Sequence, residues 1–194
     1  MAVRCWPEFF DKNGHAPCGA LSRLNDMGLI AGCEADVNAT ATMLALSKLS
    51  GGVSFVVDVV SADAGENTWT LWHCGAGPLS LASPSRKVVA GYQPNRKLGL
   101  AFWFGMKSGP VTVARISYQR GSYRMMVTGG EVVDRPPQFS QGSSAVVRLQ
   151  NDALTGAKRM VELGFEHHVV ICYGHVMEEM ALLAKAWNIE LIKI

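Results

Sequence analysis

No apolar run in this 194-residue chain approaches the roughly 20 residues of a membrane helix. The N-terminus offers a single Arg4 and then Cys5-Trp6-Pro7-Glu8, without the apolar stretch of a secretory signal. Charge of one sign is scarce too: 18 Lys and Arg stand against 16 Asp and Glu, a net +2. That leaves no electrostatic footprint for nucleic acid, and neither a nucleic acid nor a membrane is expected as partner. Arg86-Lys87 and Arg96-Lys97 read as solvated loop or edge positions rather than a phosphate site. The five cysteines (5, 18, 33, 74 and 172) form an odd set with no CxxC spacing. Most sit in apolar, strand-like surroundings, where a free thiol behaves as a small hydrophobe; a reduced, cytoplasmic setting is expected. Repeats and low-complexity segments are lacking. What is present is ordinary: 48% hydrophobic and 18% charged residues, in a chain long enough to bury a sizeable core as one domain or two small ones.

The pattern of elements changes along the chain. Ala2 to Cys5 is a short apolar start closed by Trp6-Pro7. Ala16 to Met27 reads as a helix stopped by Gly28, and Leu29 to Cys33 as a strand. Asp36 or its neighbour opens a helix through Leu49, ended by Ser50-Gly51-Gly52. Val53 to Val60 has almost no polar interruption, as in a parallel sheet covered on both faces. The first 60 residues therefore predict β-α-β-α-β. From Thr68 on, short strand-like runs dominate: Thr68–Cys74, Leu98–Phe104, Val111–Gln119, Tyr123–Thr128 and Val146–Leu149. Arg120-Gly121-Ser122 makes a hairpin turn. These predict a mostly antiparallel segment, a small barrel or sandwich. Asn151-Asp152 caps a helix through Leu163 with Gly164 beyond it. His168–Tyr173 is a strand, Val176–Trp187 a helix with Met177 and Met180 in the core, and Ile189–Ile194 a last strand. The fold class expected is α/β followed by mostly antiparallel β: residues 1–65 as the end of an α/β domain, and residues 66–194 as a β-barrel-like domain with closing helices.

The candidates for chemistry are Glu34, Asp36, Asp58, His73, His167, His168 and His175. Glu34 and Asp58 each follow a short apolar run, and one helix separates them. Neighbouring parallel strands would bring them to one point at the carboxyl end of a sheet, where α/β sites form. Each could equally cap the following helix; Asp36 is the better cap, which frees Glu34. Two carboxylates plus an imidazole make a ligand set for a divalent ion with open positions. Of His167-His168, adjacent on a strand, one side chain must face each way. A lone histidine such as His73 is more often a satisfied core residue than a ligand. His175 starts a helix, where a cap or support role is expected. His15, Glu66-Asn67 and Glu178-Glu179 read as solvated. Phe102-Trp103-Phe104 reads as core or subunit contact, with an aromatic wall for a sugar as the alternative.

Several runs together carry a family likeness: Arg4-Cys5-Trp6-Pro7, Leu24-Asn25-Asp26-Met27-Gly28, Cys33-Glu34-Ala35-Asp36, Val57-Asp58, Leu71-Trp72-His73-Cys74-Gly75, and His167-His168-Val169-Val170-Ile171-Cys172-Tyr173-Gly174-His175. From about residue 4 to its end the chain resembles the C-terminal part of the L-fucose isomerase and L-arabinose isomerase superfamily. The resemblance implies an aldose–ketose isomerase using Mn²⁺ or a similar divalent ion. It implies Glu34, Asp58 and His168 as metal ligands, with Glu34 and Asp58 catalytic. His73 falls about where arabinose isomerases place a further histidine; His73, His167 and His175 are therefore candidate additional contacts. At His167 the chain departs from the closer fucose enzymes, which carry a polar amide there. Full-length members have one or two α/β domains ahead of the equivalent of Ala2. The expected partners are accordingly a small sugar and either further copies of the chain or a chain supplying the N-terminal domains.

Such chemistry suits the residues: moving a proton between C1 and C2 through an enediol needs a base, an acid and a cation. Two other readings compete. One is a non-catalytic metal- or sugar-binding or assembly module that keeps only the C-terminal half. The weaker is a two-carboxylate glycosidase, which has no use for the late histidine.

Overall fold

The computed structural model describes residues 1–119 and 121–194; Arg120, placed above in a hairpin turn, lies outside the described residues. The chain opens with an isolated parallel bridge, Ala2 to Gly32. Where a strand over Leu29–Cys33 is expected, only this bridge forms. A helical turn, Cys5–Phe9, runs into a short helix α1 (Phe10–Asn13), which the apolar start did not predict. Helix α2 (Cys18–Asp26) buries Cys18, Leu21, Ser22 and Asn25. Asn25 braces the returning chain, its amide donating to the carbonyls of Leu21 and Ala31 and its oxygen accepting from Ala31 N. Helix α3 (Val37–Ser50) starts at Asp36, whose side chain accepts from Ala39 N, a cap worth about 1 kcal/mol. It buries Ala39, Thr42, Met43 and Leu46, the spacing of one helical face.

The strands are β1 (Ser54–Asp63), β2 (Thr68–His73), β3 (Val89–Tyr92), β4 (Gly99–Gly105), β5 (Gly109–Gln119), β6 (Ser122–Val132), β7 (Ser143–Leu149), β8 (His168–Tyr173) and β9 (Glu190–Lys193). They join in one mostly antiparallel sheet of order β3-β4-β7-β2-β1-β8-β5-β6-β9. A further pairing of β6 with β7 returns the order to an earlier strand, so β7, β2, β1, β8, β5 and β6 form a closed circuit of pairings. Among described residues the only parallel pairings of named strands are β4 with β7 and β6 with β9.

This corrects the reading of Val53–Val60 as parallel: β1 runs antiparallel to both β2 and β8. A strand buried on both faces is continuously apolar whichever way its neighbours run, so the pattern could not tell the two apart. Glu34 and Asp58 are consequently not on adjacent parallel strands, and Asp58 is not at a strand end. It lies inside β1, paired with His168 on β8 and Trp72 on β2. The β5–β6 hairpin is closed by Gln119 opposite Ser122. Strand β3 was not expected.

Helix α4 (Ala153–Glu162), capped by Asp152, and helix α5 (Met177–Ala186) complete the fold. Trp69, Phe55, Leu46, Met43, Ile171 and Met180 are among the fully buried core side chains. Trp69 also donates from its indole N–H to Ala153 O at 2.8 Å, tying β2 to the start of α4. Phe102-Trp103-Phe104 divides: Phe104 is core, while Trp103 stacks edge-on against Tyr92 with ring centroids 5.1 Å apart.

Candidate metal centre

Three segments converge on His168. Strand β8 delivers His168 inward, 7% exposed, and turns His167 outward, its side chain 71% exposed. Strand β1 presents Asp58 directly opposite His168. The third segment is the turn Cys33–Asp36. Glu34 and Ala35 there have φ of 59° and 56°, a left-handed conformation that costs residues with a Cβ roughly 1 kcal/mol or more. Ala35 N donating to Val3 O and Asp36 N to Cys33 O hold this turn. Gly32 admits it, because a Cβ there would lie 1.9 Å from Thr40 Oγ1. Glu34 is thus aimed at the site by the backbone rather than by a strand.

The two nitrogens of His168 meet different surroundings. Nδ1 donates to Asp36 Oδ2 at 2.9 Å. The same carboxylate oxygen accepts from Arg115 on β5 at 2.6 Å, and Arg115 Nε reaches Glu166 Oε2 at 3.3 Å. Asp36 so caps α3 with one oxygen and orients His168 with the other, the arrangement of a carboxylate–histidine pair behind a metal. Nε2 faces Asp58 Oδ1 at 3.2 Å and Glu34 Oε2 at 3.7 Å. Asp58 Oδ1 is buried and accepts no hydrogen bond, although His167 Nε2 also lies 3.4 Å away.

Burial alone would raise the Asp36 carboxyl, but His168 and Arg115 outweigh it and hold the group well below the usual carboxylate range. Burial likewise opposes charge on His168, yet Asp36, Asp58 and Glu34 push its pKa up to about 10. These carboxylates favour the charged form of the His168 imidazole. His73, 1% exposed, lies with its ring 5.7 Å from that of His168. Its Nε2 has no hydrogen-bond partner, so it is not the satisfied core histidine that a lone His usually is. Burial disfavours its charge, but negative charge on the neighbouring Cys74 sulfur draws its pKa up to about 9.

Asp58, His167 and His168 bring donor atoms within 4.8 Å of one another, and so do Cys33, Glu34, His73 and Cys74. These are groups that could hold a metal ion. His175 is not brought to them: it follows the far end of β8 and borders surface hollows with Gln150 and Glu178. Arg115 and Glu166 were missed from sequence. The signal available was an arginine in the middle of an otherwise apolar strand, Val111–Ile116, since a buried guanidinium demands a carboxylate.

Residues 71–194 match the family model described as L-fucose isomerase, C-terminal domain. The chain belongs to that family. The chain is also similar to larger curated proteins. It is 39% identical over 191 residues to the sulfoquinovose isomerase of Priestia aryabhattai, covering 98% of this chain and 43% of the relative. The sulfoquinovose isomerase of Clostridium sp. (strain MSTE9) is 37% identical over 192 residues, covering 98% and 43%. That of Alkalicoccus urumqiensis is 34% identical over 195 residues, covering 100% and 44%. The chain spans less than half the length of these relatives. No helix among the described residues is long and apolar enough to cross a membrane.

Proposed function

We propose that this chain carries the metal-holding half of an aldose–ketose isomerase site. One observation bears most of the weight: Glu34 Oε2 and Asp58 Oδ1 both face His168 Nε2, and the buried Asp58 Oδ1 accepts no hydrogen bond. An orphaned buried carboxylate oxygen beside a second carboxylate and an imidazole suits a divalent cation. Glu34, Asp58 and His168 would hold it, and the oxygen-rich set favours Mn²⁺ over softer ions. When bound, such an ion holds the substrate's two oxygens and absorbs developing negative charge.

The chain's own groups supply the rest. Asp36 and Arg115 fix the His168 ring so that Nε2 faces the site. Asp58, inside β1, and Glu34, on the strained and more exposed turn, are the acid–base pair. One carboxylate would carry the proton from the sugar's C2 to C1 while the other moves the hydroxyl proton from O2 to O1, so that the enediol forms and collapses to the ketose. His167 and His73 are candidate additional contacts. The closed circuit of six strands is read as a small barrel. The division near residue 65 belongs to this reading as well, although the sheet runs across it, since β1 pairs with both β2 and β8. We place the protein in the cytoplasm, with a sugar as substrate and the remaining pocket wall supplied by further copies or by a chain carrying the N-terminal domains. Sulfoquinovose, from the names of the relatives, is the first sugar to test, beside L-fucose and the arabinoses.

The test is a ketol-isomerase assay with Mn²⁺, alone and with an N-terminal half added, alongside thermal melts. Mn²⁺ should raise the melting temperature, and Glu34→Gln should abolish both that gain and any sugar conversion. If Glu34→Gln leaves both intact, the assignment is wrong. Mn²⁺ stabilisation without turnover, even with an N-terminal half, would select the non-catalytic module instead.

A further inference from the structure

Three of the five cysteines, Cys5, Cys33 and Cys74, come together with His73 at the turn that carries Glu34. Each of the three is buried, 1, 1 and 6% exposed, and none is in a disulfide. Cys5 Sγ lies 3.5 Å from Cys33 Sγ, and Cys74 Sγ lies 3.5 Å from His73 Nδ1. Donor atoms of Cys33, His73, Cys74 and Glu34 fall within 4.8 Å of one another. Packing alone asks for small apolar side chains at these positions; it does not ask for three thiols and an imidazole side by side.

The geometry points to a second metal site, a soft-cation site formed by the thiolates of Cys33 and Cys74 with His73, the Cys5 thiol adjoining Cys33, suited to Zn²⁺ or a like closed-shell ion. A tetrahedron with Zn–S bonds of about 2.3 Å and a Zn–N bond of about 2.0 Å sets an S···N edge of about 3.5 Å, the separation found between Cys74 Sγ and His73 Nδ1. Thiolates select soft ions, whereas the carboxylates around His168 Nε2 select hard ones. Two adjoining sites would therefore sort ions by chemistry. Glu34, the exposed member of the group, stands at its solvent side, where an ion would enter. Each ligating thiol releases its proton to solvent on binding. Cys172, on β8 and outside this group, is an internal control.

Cadmium reports such a site directly, because thiolate-to-cadmium charge transfer gives an ultraviolet band that carboxylate ligation does not. The full chain, kept reduced with a phosphine, is titrated with Cd²⁺ and with Zn²⁺ as competitor. The band should grow to a plateau at one Cd²⁺ per chain and be displaced by Zn²⁺. It should vanish in Cys33→Ser/Cys74→Ser, weaken in the single variant Cys33→Ala, and persist in Cys172→Ser. It should also persist in Asp58→Asn, which separates this site from the isomerase reading: either can fail without the other. Because the double variant may fold poorly, melts of Cys33→Ala with and without Cd²⁺ accompany it, and the Cd²⁺-induced rise should shrink from that of the parent. A fully reduced chain that gives no band, or a band untouched by the Cys33 and Cys74 changes, overturns the site.

Discussion

The two sides of the His168 ring are built on opposite plans. On the Nδ1 side every group is partnered: Asp36 caps α3, accepts from His168 and from Arg115, and Arg115 turns its other face to Glu166. On the Nε2 side carboxylates gather without donors enough to satisfy them, and Asp58 Oδ1 is left buried and bare. A closed network fixes a group; an open one waits for a ligand. The contrast separates the residues that position His168 from those that would meet a cation.

The largest effect should come from breaking the closed side. Asp36→Ala removes the α3 cap and leaves the buried Arg115 with only the longer contact to Glu166. Losing one partner of a buried ion pair costs about 3–5 kcal/mol, and the surviving contact argues for the lower end. Denaturant unfolding of parent and variant measures it. A loss under about 1 kcal/mol would mean that the network is ornamental and the two sides do not differ.

The next effect is in pH. The Asp36 pKa is depressed on folding, so its contribution is present above the ordinary carboxylate value of about 4 and is lost as the pH falls below it. The His168 pKa is raised to about 10; its contribution is full below the ordinary histidine value of about 6.5 and fades as the pH climbs through 10. Melts of the metal-free chain should thus decline from neutral toward alkaline pH, by of order a few kcal/mol, and His168→Gln should flatten that decline. Saturating Mn²⁺ should reverse the slope around neutrality, because ligation needs the neutral imidazole. An alkaline limb unchanged by His168→Gln would remove the charge balance drawn here.

The smallest effect belongs to His167. Its side chain is 71% exposed, so His167→Gln should alter stability by less than about 0.5 kcal/mol. If it also leaves Mn²⁺ stabilisation unchanged, the open side consists of Glu34, Asp58 and His168 alone; a lost Mn²⁺ shift would add His167 to it.

Much of this was readable beforehand. The span of β8, the Asp36 cap of α3 and the Asp152 cap of α4 follow from local signals, polar caps before apolar faces and a short apolar run. Two properties were not local. Strand direction leaves no mark on a run buried on both faces, so β1 read as parallel and Asp58 as terminal. The gathering of Cys5, Cys33 and Cys74 around His73 depends on separate segments meeting, and each thiol by itself reads as a small hydrophobe. Glu34 was singled out for the wrong reason: a left-handed turn brings it in, not the end of a strand.

That difference in mounting has a kinetic side. Asp58 and His168 face each other across a ladder inside the closed circuit of strands, so their amides should exchange with solvent hydrogen only when the whole sheet opens. The backbone at Glu34 and Ala35 belongs to no ladder and is held by Ala35 N donating to Val3 O, ahead of the locked Asp36, so it should open at lower cost than the sheet. Two ligands of one candidate site would then share the lifetime of the fold, while the third comes and goes on a faster clock, giving an ion its way in and out.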